Sequence, residues 1–151
     1  MWWPWLVTAL TVVGDQASKA VLRSSLSPTQ SVPVIPAVLH LTYVQNTGAA
    51  FGLFRGYSSV FVLVSVMIAA WILMELMRRR HRPWLIQLGL SLILGGAIGN
   101  LVDRVRLGYV VDFIDVRVWP VFNLADSAIT IGVGLLLLAQ TTFWRRRRRT
   151  G

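Results

Sequence analysis

The sequence predicts an all-α integral membrane protein, with four transmembrane helices and a small extracytoplasmic segment of strand and loop. Hydrophobic residues make up 55% of the 151 residues and charged residues only 14%, whereas about a quarter of an ordinary soluble domain is charged. About 20 apolar residues are needed to cross a bilayer core, and the chain offers four such spans. They lie at about 2–21, 58–77, 84–102 and 121–143, within a single membrane domain expected over residues 1–151.

The distribution of basic residues predicts the orientation of these spans. Nine of the fifteen Lys and Arg residues lie in two clusters, 78–82 and 145–149, each next to an apolar span. Such clusters mark the cytoplasmic side of a membrane protein. Two clusters on the same side must be separated by an even number of spans, and two spans lie between these clusters. Both termini are then cytoplasmic, and segments 22–57 and 103–120 face outward. The same topology accounts for the net charge of +9, so no nucleic-acid partner is expected.

The first span, 2–21, is interrupted by Gly14, Asp15 and Gln16 and again by Ser18 and Lys19. A cleaved signal peptide is the alternative interpretation. No cation precedes the apolar run, however, and no clear A-x-A cleavage site follows it, so a retained helix is favoured. Asp15 and Lys19 are four residues apart on that helix, so they share one face and are predicted to form an ion pair.

The outer segment 22–57 contains three prolines that exclude a continuous helix. From 38 to 44, apolar residues alternate with His40 and Thr42, which is the period of a half-exposed strand. We interpret His40 as a solvated strand residue rather than a catalytic or metal-binding one. The chain has no cysteine, so disulfides and thiolate sites are excluded.

The second and third spans differ in their polar content. Span 58–77 is apolar except for small residues and Glu75, which has the context of an ordinary helix end. In the third span, Gly95 and Gly99 form a small-xxx-small pair that lets a neighbouring helix approach closely. Its outward end carries Asn100 and Asp103, followed directly by Arg104, and these three residues are predicted to form a buried hydrogen-bonded cluster.

Two aspartates near the fourth span are candidates for an acid and base pair. Asp112 lies in the apolar stretch 109–114, where a carboxylate has no local role. Asp126 lies in the first helical turn, in a polar stripe predicted to face the bundle, and capping of the helix is its alternative role. The other members of this stripe are Asn123, Ser127 and Thr130.

Asp112 and Asp126 are fourteen positions apart, and the intervening chain, which includes Pro120, is long enough to double back. If the two carboxyl groups meet, about 3 Å apart, they share a proton, so that one is a base and the other an acid. The base can activate a water for attack on a peptide carbonyl. No metal or cofactor is expected.

Other hydrolytic chemistries have no motif in this chain. It has no H-E-x-x-H, no G-x-S-x-G and no phosphate-binding glycine loop. A small proton-coupled transporter, with the same carboxylates as a relay, is the main alternative, and a structural membrane subunit is another. A relay is expected deep within the spans, whereas these aspartates lie at outward ends, which favours a peptidase.

Five segments extend this interpretation: 15–19 (DQASK), 46–52 (NTGAAFG), 95–104 (GGAIGNLVDR), 108–113 (GYVVDF) and 122–126 (FNLAD). Their order and spacing resemble those of the lipoprotein signal peptidase family, also called signal peptidase II. The members of this family are aspartyl endopeptidases of the bacterial inner membrane. The resemblance covers nearly the whole chain. It implies cleavage of prolipoprotein signal peptides on the N-terminal side of a diacylglyceryl-modified cysteine.

The resemblance also implies roles for individual residues. Asp112 and Asp126 fall on the catalytic positions. Substrate-binding or site-supporting roles fall on five residues: Asn46, Gly48, Asn100, Arg104 and Asn123. Structural roles are expected for Asp15, Lys19 and Asp103. The protein is expected to be a monomer in the inner membrane, in contact with membrane lipid, with its site at the outer, periplasmic face.

Overall fold

The computed structural model describes residues 2–48, 58–78 and 82–147. This part of the chain is mostly helical and carries one small sheet, as the sequence predicts. The helices are α1 (Trp3–Ser25), α2 (Ser58–Arg78), α3 (Trp84–Leu107) and α4 (Leu124–Arg147), and the strands are β1 (Ser31–Ile35), β2 (Leu39–Asn46) and β3 (Val110–Asp115).

Helix α3 lies at the centre of the bundle and packs against α1, α2 and α4. Its glycines allow this, because a Cβ at Gly95 would lie 2.6 Å from the Cβ of Thr11, and one at Gly99 would lie 2.5 Å from Oδ2 of Asp15. On another face, a Cβ at Gly96 would overlap the carbonyl oxygen of Ala125 in α4. The close approach predicted at Gly95 and Gly99 is therefore confirmed, with α1 as the neighbour.

Two helices in the described part of the chain, α3 and residues 124–141 of α4, are long and apolar enough to cross a membrane. The apolar residues of α2 are largely exposed as well, among them Leu63, Met67 and Trp71. Apolar surface of this extent is not typical of a soluble monomer and suits contact with lipid. The prediction of four transmembrane helices extends beyond these two and stays a prediction.

Arg82, which precedes α3, belongs to the first basic cluster. Arg82 forms an ion pair with Glu75 at the end of α2. Residues 79–81 of that cluster, 148–149 of the second, and 49–52 of the predicted NTGAAFG motif lie outside the described residues.

The sheet has the strand order β1-β2-β3, and both neighbouring pairs are antiparallel. The strand predicted at 38–44 corresponds to β2. Strand β1 is exposed along its length, whereas β3 is almost entirely buried. Val111 of β3 packs in a small core with Leu22, Tyr43 and Phe113.

Segment 103–120 was predicted only to face outward, and the structure shows that it contains strand β3, which was not predicted. Helix α3 continues to Leu107 and ends at Gly108, whose φ of 78° suits glycine. The fourth helix begins at Leu124 rather than at 121. This difference arises because Phe122 pairs with Ile114 of β3 and turns the chain back toward the sheet.

Candidate active site

Asp112 of β3 and Asp126 of α4 line one cavity of about 540 Å³. The cavity lies where the ends of β2 and β3 meet the adjoining ends of α3 and α4. Four other predicted site residues line it as well: Asn46, Gly48, Asn100 and Arg104. Asn123, the fifth, is fully buried and contacts both aspartates from behind the cavity wall.

Asp112 is held on β3 by two asparagine side chains. Its Oδ1 accepts a hydrogen bond from Nδ2 of Asn123 at 2.7 Å, and its Oδ2 accepts one from Nδ2 of Asn46 at 2.9 Å. The Asn46 amide is oriented in turn because its Oδ1 accepts the backbone N–H of Gly48 at 3.0 Å. Gly48 therefore supports Asp112 through Asn46.

The environment of Asp112 makes it titrate near neutrality. Only 2% of the residue surface is exposed, and this burial raises the pKa of its carboxyl group to about 7. The charge of Asp126 also raises this pKa, while the hydrogen bonds from Asn46 and Asn123 and the charge of Lys19 oppose the shift. A carboxyl group with such a pKa can hold or release a proton at physiological pH.

Asp126 lies at the third position of α4, where it completes a reciprocal cap. The N–H of Asp126 donates to Oδ1 of Asn123 at 2.9 Å, and the N–H of Asn123 donates to Oδ2 of Asp126 at 3.3 Å. Its Oδ1 accepts Nδ2 of Asn100 at 2.8 Å. The capping role weighed from the sequence is therefore present, and the same carboxylate also faces the cavity.

Each of the four carboxylate oxygens thus accepts a hydrogen bond from an asparagine. Asn123 links the two acids directly, because its side chain donates to Asp112 and its backbone N–H donates to Asp126. Side chains held in this way lose rotamer freedom, so the acids are oriented before any substrate binds.

A buried ionic cluster lies behind the two acids. Lys19, with 2% of its side chain exposed, places Nζ 2.8 Å from Oδ2 of Asp15 and 2.9 Å from Oδ2 of Asp103. The ion pair predicted between Asp15 and Lys19 is therefore present. Gln16, to which the sequence analysis gave no role, donates to Oδ1 of Asp103 at 2.9 Å and to the carbonyl of Gly99 at 3.1 Å.

This cluster is connected to the backbone on either side of the site. Asp15 accepts the N–H of Ala125 at 3.0 Å, and Asp103 accepts the N–H of Val111 at 3.0 Å. Ala125 and Val111 are the residues immediately before Asp126 and Asp112. The cluster therefore fixes the backbone next to both cavity aspartates.

Arg104 contributes positive charge to the cavity wall. It is half-buried, and the negative charges of Asp126, Asp112 and Asp103 act on it. Thr130, predicted to face the bundle, is instead exposed at the mouth of the cavity, where Trp119 also lies. No motif in the sequence indicates that Trp119 lies in the cavity wall.

His40 lies outside the cavity lining. Its Nδ1 is 3.2 Å from Oγ of Ser31, on the partly exposed surface of the sheet. Among the described residues, no group of three or more His, Cys, Asp or Glu side chains is placed to hold a metal ion.

Comparison with known proteins places the chain in a family. The family model described as "Signal peptidase (SPase) II" matches residues 7–142. The lipoprotein signal peptidase of Moorella thermoacetica is 52% identical over 134 residues, which cover 88% of this chain and 89% of that protein. The lipoprotein signal peptidase of Halothermothrix orenii is 43% identical, covering 89% and 92% of the two chains.

Solved structures agree with this similarity. A bacterial membrane enzyme solved by the in meso method at 2.3 Å resolution is 34% identical, with a TM-score of 0.87. The match covers 92% of this chain and 87% of that one. A second bacterial membrane enzyme, solved by the same method at 1.9 Å, has a TM-score of 0.83 and 34% identity, with 91% of each chain covered.

Proposed function

The chain belongs to the signal peptidase II family, and we propose that it acts as an aspartic endopeptidase on diacylglyceryl-modified prolipoproteins. The reaction is cleavage of the signal peptide on the N-terminal side of the lipidated cysteine. The observation that carries this proposal is the presence of Asp112 and Asp126 in one cavity, each oriented by buried asparagines.

In this mechanism the two acids share one proton near neutral pH. The pKa of Asp112, raised to about 7 by burial, supports such a state, although the macroscopic pKa values belong to the pair. The ionised member removes a proton from a water, whose oxygen bonds to the scissile carbonyl carbon. The protonated member donates a hydrogen bond to the carbonyl oxygen, where negative charge develops. The tetrahedral intermediate then collapses as the C–N bond breaks and a proton passes to the leaving nitrogen.

The walls of the cavity suit an apolar peptide that carries a lipid. Polar contacts come from Asn46, Gly48 and Arg104, which we assign to substrate binding or site support. The remaining wall is largely apolar, and it includes Val44, Val110, Val121, Phe122 and Ile129. A signal peptide supplies apolar side chains beside a polar backbone, so it matches both kinds of surface.

We place this site at the outer face of the bacterial inner membrane. In the proposed topology all four helices cross the bilayer, both termini are cytoplasmic, and the protein works as a monomer among membrane lipids. The dyad lies at the end of α3 opposite to Trp84 and Arg82, which supports an active site on the side away from the basic cluster. The alternative of a proton-coupled transporter gains no support from membership of a peptidase family.

The direct test is cleavage of a lipidated prolipoprotein by the purified protein in detergent. Wild-type protein should release the signal peptide, whereas Asp112→Asn and Asp126→Asn should lose at least about 10²-fold in rate, the contribution typical of acid and base catalysis. Asp115→Asn is the matched control. Asp115 is a buried aspartate of the same strand, but its carboxylate contacts Thr42 and Arg117 outside the cavity.

Asp115→Asn should therefore keep turnover near the wild-type rate. A precursor whose lipidated cysteine is replaced by alanine should not be cut. If Asp112→Asn or Asp126→Asn retains more than about a tenth of the wild-type rate, the aspartic mechanism is wrong.

A further inference from the structure

We propose that Lys19 is a positioning residue for the reaction: its buried ammonium fixes the direction of the Asn100 amide, which then presents an N–H donor to Asp126. This inference rests on the proposed function, and it goes beyond the structural ion pair that the sequence predicts for Lys19. The residue does not line the cavity, so any effect on the reaction passes through Asn100.

The argument begins with the chemistry of the contact between Lys19 and Asn100. Nζ of Lys19 lies 3.0 Å from Oδ1 of Asn100. An ammonium group has three donors and no acceptor, so the atom of the Asn100 amide that faces it must be the oxygen. Nδ2 of Asn123 also donates to this oxygen, at 3.1 Å.

With its oxygen held on one side, the Asn100 amide directs its nitrogen to the other. Nδ2 of Asn100 lies 2.8 Å from Oδ1 of Asp126. A flipped amide would place its carbonyl oxygen against that carboxylate, and two acceptors repel. Lys19 therefore selects the only amide orientation in which Asp126 gains a donor.

The other two ammonium donors are also used. They bind Asp15 and Asp103, the two acids that accept the backbone N–H groups of Ala125 and Val111. A purely structural ion pair needs one carboxylate. Here one cation, Lys19, binds two carboxylates and the Asn100 amide that contacts Asp126. Each of the two carboxylates in turn binds the backbone N–H of the residue before a cavity aspartate.

The charge of Lys19 has a second consequence, which provides an independent measurement. The charged groups around its ammonium are Asp15 on α1 and Asp103 on α3, and beyond Asn100 lie Asp126 on α4, Asp112 on β3 and the cation Arg104. Lys19, Asp15 and Asp103 together carry a net charge of −1, and removal of the cation makes it −2. Additional negative charge disfavours ionisation of Asp112, so the acidic limb of the pH profile should move to higher pH.

The experiment compares Lys19→Met with the wild-type enzyme in the prolipoprotein assay, with rates expressed per folded molecule. We expect kcat to fall at least about tenfold, because misplacement of a catalytic group by about 1 Å can cost up to about 10²-fold. KM should change less than about threefold, because Lys19 does not touch the cavity. The acidic limb of kcat/KM should move to higher pH.

A double variant separates orientation from charge. In Lys19→Met with Asp15→Asn the net charge of the cluster is again −1, but no ammonium holds the Asn100 oxygen. The acidic limb should return toward its wild-type position while kcat stays low. Recovery of kcat together with the pH profile would reduce the role of Lys19 to charge alone and overturn the proposal.

A matched control removes a buried polar contact far from the site. Thr8 on α1 is 8% exposed and donates to the carbonyls of Pro4 and Ser91. Thr8→Val should lower thermal stability yet keep the wild-type kcat and pH profile. If Lys19→Met behaves in the same way, Lys19 is merely structural.

Two measurements keep the test decisive if Lys19→Met fails to fold or if the proposed function is wrong. Asn100→Asp keeps an acceptor for Lys19 but removes the donor to Asp126, so it should fold and lose kcat at least about tenfold. A wild-type kcat in that variant would overturn the inference. If the wild-type protein cleaves no prolipoprotein, the proposed function fails by itself. The inference is then tested by ¹⁵N NMR of the Asn100 side-chain amide, whose signal must respond to the titration of Asp126 in wild-type protein and lose that response in Lys19→Met; an equal response in both proteins would overturn the inference.

Discussion

Replacement of Asp112 by Asn is expected to abolish cleavage and yet to stabilise the folded protein above pH 7. Burial raises the pKa of this carboxyl group from 3.8 to about 7. Between these values the folded protein binds more protons than the unfolded chain, so the free energy of unfolding falls as the pH rises. This loss of stability, which is the free-energy cost of ionising the buried Asp112, is absent below about pH 4 and complete above about pH 7, where it amounts to roughly 4 kcal/mol.

The Asn side chain removes this penalty but loses one hydrogen bond. Asp112 accepts bonds from both Asn46 and Asn123, whereas the amide of Asn offers an oxygen to one of them and an N–H to the other. An unsatisfied buried polar group costs roughly 1–3 kcal/mol. The variant should therefore be more stable than wild type by about 1–3 kcal/mol at pH 8 and less stable by a similar amount at pH 4.

The assay is thermal unfolding in detergent, followed by tryptophan fluorescence, at a series of pH values from 4 to 8.5. We expect the melting temperatures of wild type and Asp112→Asn to cross within this range. Asp115→Asn is the control. Burial would raise the pKa of Asp115, but hydrogen bonds from Arg117 and Thr42 lower it, so this variant should lose stability above pH 4 and gain none at pH 8. A constant difference between wild type and Asp112→Asn at every pH would refute the reasoning.

Three further predictions follow from the same geometry. Asn123→Ala should lower the melting temperature, because Oδ1 of Asn123 accepts the N–H of Asp126 and a lost N-cap costs about 1 kcal/mol; unchanged stability would contradict the capping role. Gly96→Val should destabilise the protein by about 1–3 kcal/mol in thermal unfolding, since its side chain would overlap the carbonyl of Ala125, whereas Gly14→Ala, which meets no atom within 4 Å, should not. The dependence of kcat/KM on pH should be bell-shaped, and chelators should leave it unchanged; activity lost with a chelator and restored by zinc would make Asp112 and Asp126 metal ligands.

The bundle and the two cavity aspartates were accessible from the sequence because each depends on local information. Apolar runs of sufficient length predict helices. Asp112 is recognisable as a candidate because it is a carboxylate within the short apolar stretch 109–114. The ion pair of Asp15 and Lys19 follows from their spacing on one helix. Each of these inferences uses residues only a few positions apart.

Features that depend on distant parts of the chain were not accessible. Strand β3 is buried on both faces, so it lacks the alternation that made β2 recognisable. Helix α4 begins late because Phe122 pairs with Ile114, and neither residue alone indicates this. The second carboxylate on Lys19 and the links from Asp15 to Ala125 and from Asp103 to Val111 join separate elements, so no local pattern contains them.

The bond between Asp15 and the N–H of Ala125 spans 110 positions of the chain, and it has a consequence for biosynthesis. A nascent chain that has emerged as far as β3 contains Asp112 but neither Asp126 nor the Asn123 amide that orients both acids. Until α4 forms, Oδ1 of Asp15 lacks the N–H of Ala125 as a donor, while Oδ2 can already pair with Lys19 of the same helix. With Asp112 and Asp126 as the proposed catalytic pair, a chain that lacks α4 is expected to have no peptidase activity.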